Sequence, residues 1–315
     1  MDYNKFGLVN TTEMFSDAIA HKYAIPAFNF YNMETLNAIL AAARETHSPV
    51  ILAVSESALH YMGDNMLMGM IMGAKLTTRD CVALHLDHGA SVDACKHAID
   101  IGFSSVMIDA SQKNFSENIE LTQRVIEYAH KHNVTVESEL GVIAGTEDEN
   151  TSSKKSLYTN PNDAYEFVKR TNVDSLAIAI GTNHGAYKCK SEFKGLRFDV
   201  LSEIVNLLPK TPLVLHGASR IPQHLVGIIE KFGGKMENAC GIPMDDIRQA
   251  VSMHVAKVNV DSDSRIAFTA GIRKTLATNP KMFNPRDYLS VATDMVKQNC
   301  IDEIKTVMNS ANKLK

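Results

Sequence analysis

The sequence predicts an α/β fold: one closed (β/α)8 TIM barrel with extra C-terminal helices, forming a single domain over residues 1–315. Three observations carry this reading. Eight short runs rich in Val, Ile, Leu and Ala recur along the chain, each ending in polar residues or Gly. Strands buried on both faces have this composition. Stretches of helical periodicity separate the runs, and regular strand–helix alternation builds a parallel sheet. The length of 315 residues suits one large barrel. An open doubly wound sheet is the alternative, but it normally carries a Gly-rich phosphate turn after its first strand. Here that turn reads Asn29-Phe30-Tyr31-Asn32.

The elements follow in order. The first run, residues 24–29, leads into a helical stretch at 33–45, and the second is 49–55. The third, 81–87, leads into a helix at 92–101, and the fourth, 105–109, into one at 116–132. The fifth run, 134–139, opens into a long polar excursion, 141–157, before a helix at 162–171. Long loops in compact domains tend to be functional. The sixth run, 175–181, precedes a helix at 201–208, and runs at 213–216 and 256–261 complete the set. Asn279-Pro280 and Asn284-Pro285 punctuate the approach to terminal helices expected at 287–298 and 302–314. Five Met between Met62 and Met72 point to a helix packed in the core or at a subunit contact.

Composition narrows the function. Apolar residues make up 45% and charged residues 22%, which suits a globular chain with a sizeable core and excludes a disordered one. A net charge of -4 lacks the broad basic footprint of a nucleic-acid binder. The apolar stretch Met66 to Met72 is far too short to span a bilayer, so no membrane partner is expected. Five widely spaced Cys form neither a CxxC pair nor a disulfide framework, and a reducing cytoplasmic setting is expected.

In a barrel, chemistry collects at the carboxyl ends of the strands. His88 follows the third run, His184 the sixth, and His216 ends the seventh, each beside a Gly. A lone strand-end His is usually a hydrogen-bonded core residue. Three at the same barrel end can converge on one metal with a position left open, the catalytic zinc pattern. His85 shares strand parity with Asp87 and either fills the barrel or orients a ligand. Asp87, beside His88, is placed for acid–base work or for orienting a ligand. Asp109 and Glu139 could supply a second cation site, divalent or monovalent, or form a structural carboxylate pair. Gly185 with Lys188, Gly217 with Ser219, and Asp261 with Ser262 follow the last three runs, the usual phosphate end of a barrel. A metal, an acidic loop and a phosphate cradle suit carbanion chemistry beside a carbonyl.

These motifs resemble one family over essentially the whole chain. They are Pro26-Ala27-Phe28-Asn29, Leu86-Asp87-His88-Gly89, Val136-Glu137-Ser138-Glu139-Leu140-Gly141, Thr182-Asn183-His184-Gly185-Ala186-Tyr187-Lys188, Leu215-His216-Gly217-Ala218-Ser219 and Lys257-Val258-Asn259-Val260-Asp261. The chain is similar to class II, metal-dependent fructose-bisphosphate aldolases. The resemblance implies reversible cleavage of a ketose bisphosphate to dihydroxyacetone phosphate and glyceraldehyde 3-phosphate. It implies zinc on His88, His184 and His216, with Glu139 and Asp109 at positions tied to an additional or alternative metal. It makes Asp87 the group that exchanges the C4 hydroxyl proton, Glu147 the loop acid, and Asn259 the holder of the enediolate. Gly185, Lys188, Gly217, Ser219 and Ser262 would surround the first phosphate, while Asn29 and Ser55 would line the site. Ala218 stands where some relatives have Gly, and Ala144 stands in a presumed Gly-Gly hinge. The family forms dimers or larger assemblies, so a homodimer or homotetramer is expected.

Tagatose-bisphosphate aldolase is the nearest alternative. Asp261 and Arg265 look like the fructose-bisphosphate branch, because Arg can grip a distal phosphate bidentately. A Schiff-base aldolase using Lys257, a metal-dependent hydrolase and a non-catalytic sugar-phosphate sensor are the other readings.

Overall fold

The computed structural model describes residues 2–143, 145–147, 150–152, 157–187 and 195–314. Eight parallel strands close on themselves: β1 (Ile25–Asn29), β2 (Val50–Ser55), β3 (Val82–Gly89), β4 (Ser105–Ile108), β5 (Thr135–Leu140), β8 (Ser175–Ile178), β9 (Leu213–Leu215) and β10 (Val255–Val260). They neighbour one another in chain order, and β1 closes the ring by pairing in parallel with both β2 and β10. The eight expected runs are these eight strands. The excursion after β5 holds a short antiparallel hairpin, β6 (Gly145–Glu147) with β7 (Asn150–Ser152), closed at its base by a bridge between Val142 and Leu157.

Strand alternation sorts the barrel into two cores. Outward residues such as Phe28, Leu52, Leu84, Val136, Leu176 and Val258 pack against the helices in one large cluster. Inward residues Ile25, Ala27, Ile51, Ala53, Ala83 and Ala256 form a second, smaller cluster with Met14, Phe15 and Ala18 of α1 (Thr11–Ala20). Helix α1 therefore plugs the amino-terminal end of the barrel. Above this apolar floor the inward positions become polar: His85, Glu137 and Lys257, then Asn29, Asp87, His216 and Asn259, all buried.

The surrounding helices start where the sequence supplies caps. Asn32 caps α2 (Met33–Thr46) in a reciprocal capping box with Thr35, and Asn114 caps α6 (Phe115–Lys131). Ser55 closes β2 and caps α3 (Glu56–Met62) in one step. In the Met-rich α4 (Asp64–Gly73), Leu67, Met68 and Ile71 are buried whereas Met66 and Met72 are exposed. The expectation of helix at 302–314 is corrected. Helix α12 (Pro285–Asp302) runs straight into a π-helical turn at Glu303–Val307, and Asn309 and Asn312 then take left-handed backbone, which ends the helix. Cys240 is disulfide-bonded, while Cys81, Cys95 and Cys300 are free. No helix among the described residues is long and apolar enough to cross a membrane.

Candidate active site

The site begins with an irregularity in β3. Side chains alternate along a strand, so Asp87 and His88 should face opposite sides. The β3–β4 register shifts between Leu86 and Gly89, and His88 adopts a left-handed φ of 50°. This bulge turns both side chains toward the barrel axis. A non-glycine residue held there is a strain that recurs at functional sites.

Three imidazoles gather at that point. The His88 ring centroid lies 4.5 Å from that of His216 and 5.2 Å from that of His184, and the third separation is 6.3 Å. Each of two rings is oriented by a carboxylate. His88 Nδ1–H donates to Asp109 Oδ2 at 2.8 Å, and His216 Nε2–H donates to Glu137 Oε1 at 2.7 Å. Those bonds leave Nε2 of His88 and Nδ1 of His216 as the nitrogens that could bind a metal. Ligand atoms of Asp87, His88 and His216 lie within 4.8 Å of one another, as do those of His88, Asp109 and Glu139. Imidazole nitrogens with one or two carboxylates form a donor set suited to a divalent transition metal, so the residues fit such an ion.

Asp87 is fully buried between two amides. Its Oδ2 accepts from Asn29 Nδ2 and its Oδ1 from Asn259 Nδ2, both at 2.9 Å. Asn259 Nδ2 also reaches His216 Nδ1 at 3.2 Å, linking the carboxylate to the imidazole cluster. Buried Oδ1 atoms of Asn29 and Asn259 have no hydrogen-bond partner among the described residues.

Beneath lies a charged layer that the sequence did not reveal as a unit. Lys257 Nζ donates to Glu137 Oε2 at 2.8 Å, to Oε1 at 3.0 Å and to His85 Nε2 at 3.2 Å. His85 Nδ1–H donates to Ser105 Oγ at 2.8 Å, so His85 fills the barrel under the imidazole cluster. Burial and the Lys257 charge hold the His85 imidazole well below its usual pKa. Burial alone would raise the Glu137 carboxyl, but Lys257 and the His216 hydrogen bond outweigh it and hold it well below the usual range. At Asp109 the His88 and Ser111 hydrogen bonds likewise overcome burial and lower the carboxyl.

The remaining candidates ring this centre. Gly217 has φ 61°, and a Cβ there would stand 2.7 Å from the Asn183 carbonyl group, so the loops after β8 and β9 touch backbone to backbone. Gly185 is left-handed too, and Ala218 and Ser219 are buried. Asp261 follows β10 as the N-cap of α11 (Ser262–Thr278), which begins with Ser262 and also carries Arg265. Arg265 Nε donates to Asp261 Oδ1 at 2.9 Å. Burial pushes the Asp261 carboxyl up, opposed by Arg265. Lys188 lies outside the described residues. Glu147 has its backbone in β6, and its side chain lies outside the described set. Glu137 and Lys257 are the site residues whose place the sequence left open. Strand parity with Glu139 and Asn259 was the available signal for them.

Comparison with known proteins accounts for this arrangement. A family model described as fructose-bisphosphate aldolase class-II matches residues 9–313. The chain is 46% identical to the fructose-bisphosphate aldolase of Treponema pallidum, covering 99% of each chain. It is 47% identical to that of Thermus caldophilus, covering 92% of this chain and 95% of that one. Among solved structures, the YdjI aldolase from Escherichia coli K12 superposes with a TM-score of 0.77 at 29% identity, covering 98% of this chain and 100% of that one. A match extending from residue 9 to residue 313 takes in every barrel strand and every histidine of the cluster, and the chain belongs to the metal-dependent class II fructose-bisphosphate aldolases.

Proposed function

We propose that this chain cleaves fructose 1,6-bisphosphate reversibly to dihydroxyacetone phosphate and glyceraldehyde 3-phosphate, with zinc held by His88, His184 and His216. The observation that carries the reading is the inward turn of both Asp87 and His88, which sets a buried carboxylate against the imidazole cluster. When bound, the metal supplies a Lewis acid for the ketose carbonyl oxygen and the enediolate that follows. Asp87 removes the C4 hydroxyl proton. The C3–C4 bond then breaks, releasing the aldehyde and leaving its electron pair on the three-carbon fragment. Glu147 returns a proton to C3. Asn29 and Asn259 fix the Asp87 carboxylate, and the acceptor Oδ1 of Asn259 holds a hydroxyl of the enediolate fragment. Gly185, Lys188, Gly217, Ala218, Ser219 and Ser262 receive the phosphate of that fragment, with Asn29 and Ser55 lining the site. Asp261 and Arg265 favour the fructose over the tagatose epimer. Asp109 and Glu139, with His88, offer a place for a second cation, divalent or monovalent.

Lys257 is a poor Schiff-base nucleophile: it is fully buried and its ammonium is spent on Glu137 and His85. We place the reaction in the cytoplasm and the enzyme in a homodimer or homotetramer, to which the exposed Tyr61, Met66 and Met72 offer apolar surface. The deciding experiment compares cleavage of fructose and tagatose bisphosphates with and without chelator. Cleavage of the fructose epimer that chelation abolishes and zinc restores supports the proposal. Full activity after exhaustive chelation, or trapping by borohydride with substrate, overturns it.

A further inference from the structure

Tyr31 lies two residues past Asn29 of β1, just as Asp261 lies two residues past Asn259 of β10. Strands β1 and β10 are neighbours, so Tyr31 and Asp261 both follow their carboxyl ends at the same rim, beyond Asn29 and Asn259. Within the barrel Asp87 bridges Asn29 and Asn259. At the rim the Tyr31 hydroxyl donates directly to Asp261 Oδ1. Arg265 Nε closes the triangle, donating to the Tyr31 hydroxyl and to Asp261 Oδ1, each at 2.9 Å. The guanidinium lies 4.6 Å from the centroid of the Tyr31 ring, within cation–π range.

An arginine side chain that is 42% exposed ordinarily samples many rotamers. Here its Nε and one face are both held by a single tyrosine, and its charge is matched to a carboxylate that the same tyrosine fixes. Arg265 also lines a cavity of about 560 Å³ with Thr35, Ser57, Tyr61 and Thr269, across the carboxyl ends of β1, β2 and β10. None of the described residues lining it is acidic. Arg265, whose Nε is paired to Asp261, and several hydroxyls thus line a wall that can accept an anion.

We propose that Tyr31 is a specificity-determining positioning residue, fixing Arg265 and Asp261 so that the site selects a ketose carrying a second, distal phosphate. This rests on the aldolase reading above. Tyr31 touches the substrate's recognition group through Arg265 and takes no part in bond cleavage, so its loss acts on bisphosphate selection rather than on turnover.

The test measures kcat and kcat/KM of the zinc-loaded enzyme for fructose 1,6-bisphosphate and fructose 1-phosphate in Y31F, Y31A, R265A and Y31F/R265A. Y31F removes the hydroxyl and keeps the ring. It should lower kcat/KM for the bisphosphate roughly tenfold, leave its kcat within about twofold, and leave the monophosphate unchanged. Y31A should lower the bisphosphate value further, and Y31F/R265A should be no worse than R265A, because the tyrosine acts through the arginine. The ratio of the two substrates does not depend on how much of each variant is folded. Equal losses on both substrates, no loss on either, or additive effects of Y31F and R265A overturn the proposal. A wild-type enzyme that does not cleave the bisphosphate, or cleaves it after chelation, refutes the aldolase reading instead.

Discussion

Glu137 holds His216 and Lys257 on one carboxylate, accepting from His216 Nε2 at 2.7 Å through Oε1 while Lys257 Nζ lies 2.8 Å from Oε2. All three side chains are buried to 1% exposure or less. Lys257→Met leaves a buried carboxylate without its counter-ion and should cost about 3–5 kcal/mol of stability. Lys257→Met with Glu137→Leu should recover most of that loss in urea unfolding, yet still weaken metal retention, because His216 then lacks the acceptor that fixes its tautomer. A double variant as unstable as the single one would contradict this account of the layer.

Asp109 orients His88 through a 2.8 Å hydrogen bond. Asp109→Asn keeps the volume and loses the charge. Metal affinity, read by competition with a chelator, should fall roughly 10–100-fold. Asp87→Ala should keep its metal and lose most turnover, which metal analysis beside an aldol cleavage assay would separate.

Gly217→Ala sets a Cβ at 2.7 Å from backbone atoms of Asn183 and forces alanine into a left-handed φ of 61°. Neither atom set can yield cheaply. The backbone strain alone is of order 1–3 kcal/mol, and the loops after β8 and β9 should separate. Denaturant midpoints should drop, and KM should rise for every phosphorylated ketose alike, unlike the selective effect of Tyr31→Phe.

Glu303 gives a pH dependence. Burial and the neighbouring Asp263 push its carboxyl well above the ordinary value, although Arg220 opposes them. The native state therefore binds a proton on Glu303 that the unfolded state has lost above about pH 4.5. Stability from this residue is full below that pH and declines as pH rises toward the folded-state value. Glu303→Gln should flatten the decline in thermal unfolding measured from pH 5 to pH 8, and an unchanged slope would refute the assignment.

The barrel was legible in the sequence because strands buried on both faces leave apolar runs with polar ends, as at Val50–Ser55 and Ser175–Ile178. Short helices such as α3 and α4 left weaker traces, since a few turns do not establish a period. The histidine cluster was legible because each member follows a strand. What could not be read was the bulge at His88: alternation alone sends that ring away from Asp87, and a register shift has no residue-type signature. The Lys257–Glu137 pair stayed hidden because its partners are 120 residues apart in sequence and meet only when the ring closes. Tyr31 was hidden because its partner Asp261 joins it only through β1–β10 pairing.

The apolar floor under the charged layer, sealed by Met14 and Phe15 of α1, makes the barrel a blind-ended vessel. Water can reach the reacting carbon from the rim alone. Any solvent deuterium that appears in dihydroxyacetone phosphate during exchange has therefore passed the loops, and the label should arrive on a single face of the carbon. The floor thus makes the stereochemistry of isotope uptake a report on which loop stands at the rim.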